Sequence, residues 1–313
     1  MKILVTGAAG FIASHMAERL KREGFSVKGI DNFSNYYDTS LKKLNRDTLE
    51  QQGIEVIEMD LRNPDEYQKL EQDFDFIIHF AAQPGISASV TFEEYLENNV
   101  KATQNLIGFA HRNKRLKHFF NISTSSVYGL EATYPEDAAP KPASFYGVTK
   151  LAAEQLVLAE SRTKKMNASS LRLYSVYGPR ERPEKLYTKL IACAYKEESF
   201  PLFSGSEKHL RSFTYVGDIV EGIFMAVQKH HVLNGEIINL GTEAEYTTQE
   251  GIDLVQELLG IKIELELVPK RAGDQWHTRA NIAKAKKILD YMPTTTLKEG
   301  LQLQINWYKS NFL

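Results

Sequence analysis

The sequence predicts an α/β protein in which a doubly wound parallel sheet carries helices on both faces and a smaller C-terminal α/β cap completes the molecule. Two observations lead to this prediction. Short apolar segments alternate with longer amphipathic segments as far as about residue 173, as strands and covering helices do in a parallel sheet. Beyond Tyr174 the alternation loosens into short apolar segments, prolines and loops, which is typical of a smaller, irregular unit.

The first element is a short apolar strand, residues 1–6, that leads into a glycine-rich loop and a helix expected over about residues 11–22. Gly7 permits the tight turn, Gly10 lets the backbone approach a pyrophosphate, and the helix N-terminus supplies free N–H groups and a positive dipole. The spacing is G-x-x-G-x-x-A rather than G-x-G-x-x-G, and the small Ala13 still allows close packing of helix on strand. Strand, loop and helix together predict a dinucleotide site.

The second strand, residues 26–30, ends in Asp31, about twenty residues after the glycine loop. A carboxylate at this place hydrogen-bonds an adenosine ribose hydroxyl and repels a 2′-phosphate. The sequence therefore predicts a Rossmann fold that binds NAD rather than NADP.

The remaining strands bring polar and small residues to one edge of the predicted sheet. Strands are expected at residues 55–59, 74–80, 118–122 and 168–173, with helices between them, notably at 93–112 and 145–162, and a late strand at 236–240. Ligands of such sheets bind beyond the carboxyl ends of the strands. The candidates at that edge are Asp31, Asp60, Leu61, Ala81, Ala82, Ser123, Thr124 and Ser125. We expect residues 1–173 to form the NAD-binding domain, joined in the sheet by about residues 213–245, and residues 174–313 to form mainly the second domain.

A tyrosine and a lysine four residues apart begin the helix expected at 145–162. Tyr146 and Lys150 lie one turn apart on one face of this helix. An ammonium beside a phenol favours the phenolate, so the tyrosine pKa of about 10 is expected to fall toward the working pH. Tyr146 then serves as a general base for an alcohol proton, which must leave when the hydroxyl is oxidised by hydride removal. A hydroxyl in the run 123–126, at the end of the fifth strand, is placed to share that proton.

Composition argues against several other classes of function. The formal net charge of the 313 residues is −2, which gives no electrostatic basis for binding nucleic acid. No apolar run approaches the ~20 residues needed to cross a bilayer, and no signal peptide is expected before Met1. The one cysteine, Cys193, has no second cysteine to pair with and no metal-site companions in the sequence, so no metal is expected. We expect a cytoplasmic protein with no membrane or nucleic-acid partner.

Ten short motifs follow one another from residue 2 to about residue 285, which is nearly the whole chain. They are TGAAGFIAS, the acid of GIDNF, MDL, HFAAQ, NNV, STSSVYG, YGVTK, YGPRERP, RSFTYVGDIVEGI and NLG. In this order they resemble the extended short-chain dehydrogenase/reductases, specifically the NAD-dependent nucleotide-sugar epimerases and dehydratases. The resemblance is specific for the fold and the NAD chemistry and much less specific for the substrate.

The resemblance implies a role for particular residues of this chain. The implied catalytic set is Thr124, Tyr146 and Lys150. The implied NAD-binding set is Gly7, Gly10, Phe11, Ile12, Asp31, Asn32, Asp60, Leu61, Ala81, Ala82, Asn98 or Asn99, Ser123, Tyr146 and Lys150. Arg211 and Arg271 match the arginines that bind the diphosphate of the sugar donor, as guanidinium groups do in bidentate contacts, and Asp274 would reach a ribose hydroxyl. Such proteins are commonly dimers joined through the helices expected here at 93–112 and 145–162, so a homodimer is expected.

The resemblance also offers four reactions, namely epimerisation, 4,6-dehydration, oxidative decarboxylation and 4-keto reduction, which all exchange a hydride at sugar C4. Dehydratases carry an Asp-Glu pair after the catalytic threonine, and decarboxylases carry a glutamate two residues after it. Here those positions hold Ser125 and Ser126. Because hydroxyls of ordinary pKa are poor acids and bases, chemistry at C5 and C6 is disfavoured and C4 epimerisation of a UDP-sugar is left. Tyr146 would take the 4-hydroxyl proton, hydride would pass from C4 to NAD, and the ketosugar would turn over before the hydride returns.

The sugar is indicated by further similarities. Residues 31–38, then Leu41-Lys42, and the motifs STSSVYG and YGPRERP look like those of the UDP-glucuronate 4-epimerases, with Ser175 where those relatives have Thr. Ser125, Ser126 and Ser175, helped by Arg182, would hydrogen-bond a C6 carboxylate and hold it out of alignment for loss of CO2. One departure is Ser87, where these relatives commonly carry Arg.

Three alternatives stay open at this stage. The substrate could instead be a neutral UDP-hexose such as UDP-glucose or an N-acetylated form such as UDP-GlcNAc. The enzyme could also be an NDP-4-ketosugar reductase with the same triad, which would release its nicotinamide after each turnover, whereas an epimerase keeps it. A more distant alternative is a non-catalytic NAD-binding regulator, against which the intact Thr124, Tyr146 and Lys150 argue, since a sensor needs no base.

Overall fold

The computed structural model describes residues 1–87, 89–270 and 274–313. Its strands are β1 (Lys2–Thr6), β2 (Ser26–Asp31), β3 (Glu55–Glu58), β4 (Phe76–His79), β5 (His118–Thr124), β6 (Glu131–Ala132), β7 (Ala168–Leu173), β8 (Val176–Tyr177), β9 (Phe200–Phe203), β10 (Leu210–Arg211), β11 (Thr214–Tyr215), β12 (Ile237–Leu240), β13 (Tyr246–Thr247), β14 (Leu265–Val268) and β15 (His277–Thr278). Its α-helices are α1 (Phe11–Arg22), α2 (Thr39–Gln51), α3 (Phe92–Tyr95), α4 (Ala102–Arg112), α5 (Phe145–Arg162), α6 (Leu186–Lys196), α7 (Val216–Gln228), α8 (Thr248–Leu259), α9 (Ala283–Leu289) and α10 (Leu297–Phe312).

A seven-stranded parallel sheet in the order β12-β7-β5-β4-β1-β2-β3 forms the centre of the molecule and confirms the predicted fold class. The chain runs outward from β1 through β2 to β3 and then returns to β4 on the other side of β1. Strand order therefore reverses between β1 and β4, and the crevice at their carboxyl ends is where sheets of this kind bind ligands. The late strand expected at residues 236–240 is confirmed as β12, which pairs with β7.

Both faces of the sheet are covered by helices, so its central strands are buried. On one face α1 and α7 pack together and contribute Met16 and Ile223 to the apolar core. On the other face α4 and α5 contribute Leu106 and Val157 to a second core. This arrangement of sheet and helices holds the strand ends of the predicted site in fixed register.

The C-terminal cap has a core of its own between α6, α8 and α10, with Ile191, Val255 and Leu301 fully buried. Short strands join it to the rest of the chain. β15 pairs with β6, which lies between β5 and α5 in the sequence, and β11 pairs with β8. The cap is thereby tied to the edge of the sheet where the candidate residues lie.

The two helices that carry site residues begin and end close to the predicted bounds. Residues 145–162 are helical as predicted, and the Ser144 hydroxyl caps α5 by accepting the N–H of Gly147 at 3.1 Å. The helix predicted at 93–112 is continuous from Phe92, but its middle turn, Leu96–Lys101, is a π-helix. In the ranges that the structure describes, no helix is both long enough and apolar enough to span a bilayer.

Candidate active site

The loop between β1 and α1 is shaped so that only small residues fit. Gly7 has a φ of +67°, and a Cβ atom there would lie 3.0 Å from the Cα of Ala81. The N–H of Gly10 donates to the Gly7 carbonyl at 2.8 Å, and Gly10 precedes α1 without a side-chain cap. The first N–H groups of α1, at Phe11 and Ile12, therefore face the loop as an anion-binding terminus.

A cavity opens beyond this loop at the reversal point of the sheet. Its lining includes eight predicted cofactor residues, Gly7, Asp31, Asn32, Asp60, Leu61, Ala81, Ala82 and Asn98. It also includes Lys42 and Gln83, which sequence reasoning did not assign to the site. Gln83 is buried and its side-chain N–H group has no partner among the described residues, and the same is true of the Ser123 hydroxyl at the end of β5. Buried donors of this kind suit a polar ligand.

Asp31 lies at the end of β2 and is fixed by the backbone around it. Its carboxylate accepts the N–H of Phe33 at 2.8 Å and of Ala9 at 3.2 Å, and the Lys42 ammonium is 3.8 Å away. Burial raises the pKa of Asp31, while Lys42 and the backbone donors favour its charged form. No local motif indicated Lys42 as a partner, because it reaches Asp31 from α2.

The structure distinguishes the two adjacent asparagines of the NNV motif, which the sequence left as alternatives. Asn98 lines the cavity, whereas Asn99 is buried beneath it. The Asn99 amide accepts the N–H of Gln83 at 2.7 Å and donates to the Thr149 hydroxyl at 3.0 Å. Asn99 therefore ties the cavity wall to α5, the helix that carries the catalytic pair.

The predicted catalytic residues meet where β5 ends against α5. Thr124 is the last residue of β5, and its hydroxyl favours the charged form of the half-buried Tyr146 phenol on α5. Lys150 is buried one turn further along α5 and donates to the Ile122 carbonyl at 2.6 Å. Burial lowers the pKa of Lys150 to about 8, with Glu154 acting in the opposite direction.

The prediction that Lys150 lowers the pKa of Tyr146 is wrong for the arrangement seen here. Burial is the largest influence and raises the pKa of the Tyr146 phenol, although Thr124, Arg182 and the Gly85 N–H favour its ionised form. The Lys150 ammonium donates instead to the Ile122 carbonyl of β5. Arg182, which the sequence assigned only to the substrate, is thus an electrostatic neighbour of the base.

Ser125 and Ser126 begin a short 3-10 turn directly after Thr124 and are buried. The Ser126 N–H donates to the Thr124 hydroxyl at 3.1 Å, which fixes the turn to the strand. Gln275, from the cap, donates to the Gly129 carbonyl at 2.8 Å and the Ser125 carbonyl at 3.4 Å. Gln275 was missed by sequence reasoning because its contacts cross about 150 residues of chain.

The cap residues assigned to the nucleotide are also close together. The Arg211 guanidinium donates to the Asp274 carboxylate at 3.1 Å, and His209 lies 3.7 Å from the same carboxylate. Arg271, the second predicted diphosphate ligand, lies outside the described residues. Ser175 has a φ of +35°, and its hydroxyl is 3.3 Å from that of Thr278.

The sequence model of the NAD dependent epimerase/dehydratase family matches residues 3–241 of this chain. The chain belongs to this family. It is 37% identical over 315 residues to an uncharacterized UDP-glucose epimerase, YtcB, of Bacillus subtilis, covering 99% of this chain and 98% of that protein. It is 33% identical over 330 residues to UDP-glucuronate 4-epimerase 4 of Arabidopsis thaliana, covering 99% of this chain and 76% of that protein.

Solved structures share both the fold and the length of the chain. The UDP-glucuronic acid 4-epimerase from Bacillus cereus, crystallised with UDP-glucuronic acid and NAD, superposes with a TM-score of 0.92 at 34% identity, and all of both chains is covered. The family's cofactor also suits the residues described above. Gly7 leaves room for a close backbone approach, α1 offers its open N-terminus, and Asp31 supplies a carboxylate at the end of β2.

Proposed function

We propose that this protein is a UDP-sugar 4-epimerase that keeps its NAD through the turnover and interconverts UDP-glucuronate and UDP-galacturonate. The observation that carries the proposal is the pair of buried serines, Ser125 and Ser126, beside Thr124 and Tyr146. A redox base is present at the end of β5, but the positions at which dehydrating or decarboxylating relatives carry acids hold hydroxyls. Similarity over nearly the whole chain to proteins named UDP-glucuronate 4-epimerases supports the same reaction.

In this reaction Tyr146 accepts the proton of the 4-hydroxyl and Thr124 holds the shared hydrogen bond. Bound NAD supplies a reversible hydride acceptor for C4 of the sugar. The Lys150 ammonium, which donates to the Ile122 carbonyl of β5, would hold the nicotinamide ribose and contribute positive charge. After the hydride has returned to the other face of C4, Tyr146 gives the proton back to the inverted 4-oxygen, so the side chains finish in their starting protonation states.

The C6 carboxylate is held by Ser125, Ser126 and Ser175, with Arg182 as a further contact. Hydroxyl donors bind a carboxylate without adding a repelling charge, and the guanidinium adds a charge-assisted contact. A 4-keto uronate is a β-keto acid that loses CO2 when its carboxylate aligns with the ketone. These contacts keep the carboxylate out of that alignment. Arg211 and Arg271 bind the diphosphate and Asp274 binds a ribose hydroxyl in the same complex.

We further propose a homodimer built on α5 and the neighbouring helices. Phe92, Phe145 and Val148 are among the large apolar side chains that are exposed, and the rings of Phe92 and Phe145 lie 5.2 Å apart. The apolar stripe continues along α5 through Ala152 and Leu156, which are only partly buried. Exposed apolar patches of this kind mark association surfaces. With its single buried cysteine and its nucleotide substrates, the protein is expected to act in the cytoplasm.

The test is to incubate the purified protein, without added NAD, with UDP-glucuronate and separately with UDP-glucose, and to follow the anomeric protons by NMR. Formation of UDP-galacturonate alone supports the proposal. Conversion of UDP-glucose alone would identify a neutral UDP-hexose, not a UDP-uronate, as the substrate. The similarity to YtcB and the serine at position 87 make this the second candidate. Turnover that depends on added reduced nicotinamide would instead identify a reductase.

A further inference from the structure

Arg182 lies between three parts of the active site. Its guanidinium is 5.6 Å from the ring centre of Tyr36, in the segment after β2, and it is so close to Gly85 that a Cβ there would lie 3.1 Å from it. It also favours the charged form of the Tyr146 phenol. A long, flexible side chain must be held in place to act at such a position, because its ordering costs conformational entropy.

Arg180, two residues before Arg182 in the same loop, is attached to the NAD-binding part of the molecule. The Arg180 guanidinium donates to the Glu18 carboxylate of α1 at 2.9 Å, and both side chains are nearly buried. His15, one turn earlier on α1, contacts the Pro179 carbonyl at 2.9 Å. Arg180 has a φ of +68°, so its backbone needs such contacts to stay in place.

The residue that directly precedes Arg182 is attached to the cap. The buried Glu181 carboxylate accepts the Gln304 amide of α10 at 2.9 Å and the Thr188 hydroxyl of α6 at 3.2 Å. Burial raises the pKa of Glu181 to about 7. The carboxylate therefore contacts two helices of the cap, α10 and α6.

We propose that Arg180 and Glu181 are positioning residues that hold Arg182 at the C6 carboxylate of the sugar, one from α1 and the other from the cap. This inference rests on the proposed function, in which that carboxylate is a ligand of Arg182. The Arg182 guanidinium is itself paired with Glu184 at 2.6 Å, and the two attachments fix the loop that carries this pair. Because they lie on different parts of the molecule, the position of Arg182 depends on how the cap is seated against the NAD-binding part. Preference for a uronate over a neutral hexose then depends on contacts outside the sugar pocket.

The test compares Glu181→Ala, Arg180→Gln and Arg182→Lys as NAD-loaded proteins, with calorimetric Kd values for UDP-glucuronate and UDP-glucose. Each variant is expected to raise the Kd for UDP-glucuronate about tenfold, which is the scale of one charge-assisted hydrogen bond. The Kd for UDP-glucose should rise by no more than about twofold. Glu181→Gln keeps an oxygen for Gln304 and Thr188 and should restore most of the affinity. The matched control is Arg19→Gln, which removes ion pairs between α1, Glu23 and Glu221 away from the loop.

The double variant Glu181→Ala/Arg182→Lys separates positioning from general destabilisation. If Glu181 acts through Arg182, the double variant should bind UDP-glucuronate with the same Kd as Arg182→Lys alone. Additive losses, or equal losses for both ligands, would overturn the inference. If Glu181→Ala does not fold, the inference is tested with Arg180→Gln alone, by the ratio of its Kd values for UDP-glucuronate and UDP-glucose. If Arg182→Lys itself leaves that ratio unchanged, the proposed uronate binding fails instead.

Discussion

At the scale of single residues, the proposed chemistry depends on the Tyr146 phenol and its neighbours. Replacing Tyr146 by Phe removes the proton acceptor while leaving the ring that packs 6.2 Å from Tyr95. We expect kcat to fall by about 10²–10⁴, the usual contribution of a general base, with NAD content and melting temperature unchanged. The control is Tyr134→Phe at an exposed site, which should keep wild-type turnover. Turnover of the Tyr146→Phe protein near that of the control would refute the assignment.

The pH dependence of kcat/KM follows from the same pair of residues. Burial raises the pKa of Tyr146, so the basic form is a minor species at neutral pH and its fraction grows as pH rises. Lys150, with a pKa lowered to about 8, loses its positive charge above that pH. We therefore expect kcat/KM to rise from pH 6 and to bend over near pH 8, and Lys150→Met to remove the bend. A flat profile from pH 6 to 8 would mean that the phenol is already ionised.

Which site residues the sequence could predict depends on how local their signal is. Gly7 follows β1 directly, and Asp31 and Thr124 are the last residues of β2 and β5, so motif order places them at the sheet edge. Lys42 and Gln275 reach the site across the fold, and no short pattern encodes such contacts. The electrostatics of Tyr146 also escaped prediction, because spacing gives the helix face of Lys150 but not the carbonyl to which its ammonium donates.

At the scale of elements, long periodic segments were predictable and two-residue strands were not. α5 has the predicted bounds because its apolar pattern extends over 18 residues, and the shorter β7 also begins and ends where predicted. β6, β10 and β15 are too short to show a period, although they join the cap to the site. The π-helical turn at Leu96–Lys101 has the composition of an ordinary helix and is visible only in the structure.

The loop between β1 and α1 can be tested by adding a methyl group at Gly7, where a side chain would be strained and crowded, and at a helical glycine where it would not. Gly7→Ala forces a side chain into a φ of +67° and against Ala81, so we expect loss of bound NAD and a lower melting temperature. Gly108→Ala is the matched control, because nothing lies within 4 Å of a Cβ added there on α4. It should retain NAD and gain about 0.5–1 kcal/mol of stability. Equal NAD content in the two variants would contradict the assigned role of the loop.

The attachment of α5 to β7 depends on a buried ion pair. The Arg172 guanidinium donates to the Glu154 carboxylate at 2.6 Å and 3.0 Å, and both side chains are almost fully buried. Glu154→Ala is expected to lower the free energy of unfolding by about 3–5 kcal/mol, because it leaves a buried cation unpaired. Glu257→Ala, which breaks an exposed pair with Lys298, should cost no more than about 1 kcal/mol in the same urea titration. Similar costs for the two variants would show that burial does not set the strength of the Glu154 contact.

At the scale of the whole molecule, the proposed homodimer explains why α5 is apolar on both faces. One face packs on the sheet through Val157 and Ala153, and the other exposes Phe145 and Val148, which are 58% and 42% accessible. A charge in the centre of that outer face must be desolvated when two copies associate.

We therefore expect Val148→Glu to shift the protein from dimer to monomer in light scattering at micromolar concentration. Leu267→Glu, at an exposed apolar site of the cap, is the control and should leave the molar mass unchanged. Because Tyr146 and Lys150 lie on the same helix as Val148, the monomer should also lose part of its activity through a less firmly held α5. A wild-type protein that is monomeric at all concentrations, or a Val148→Glu protein that stays dimeric, would exclude this surface as the interface.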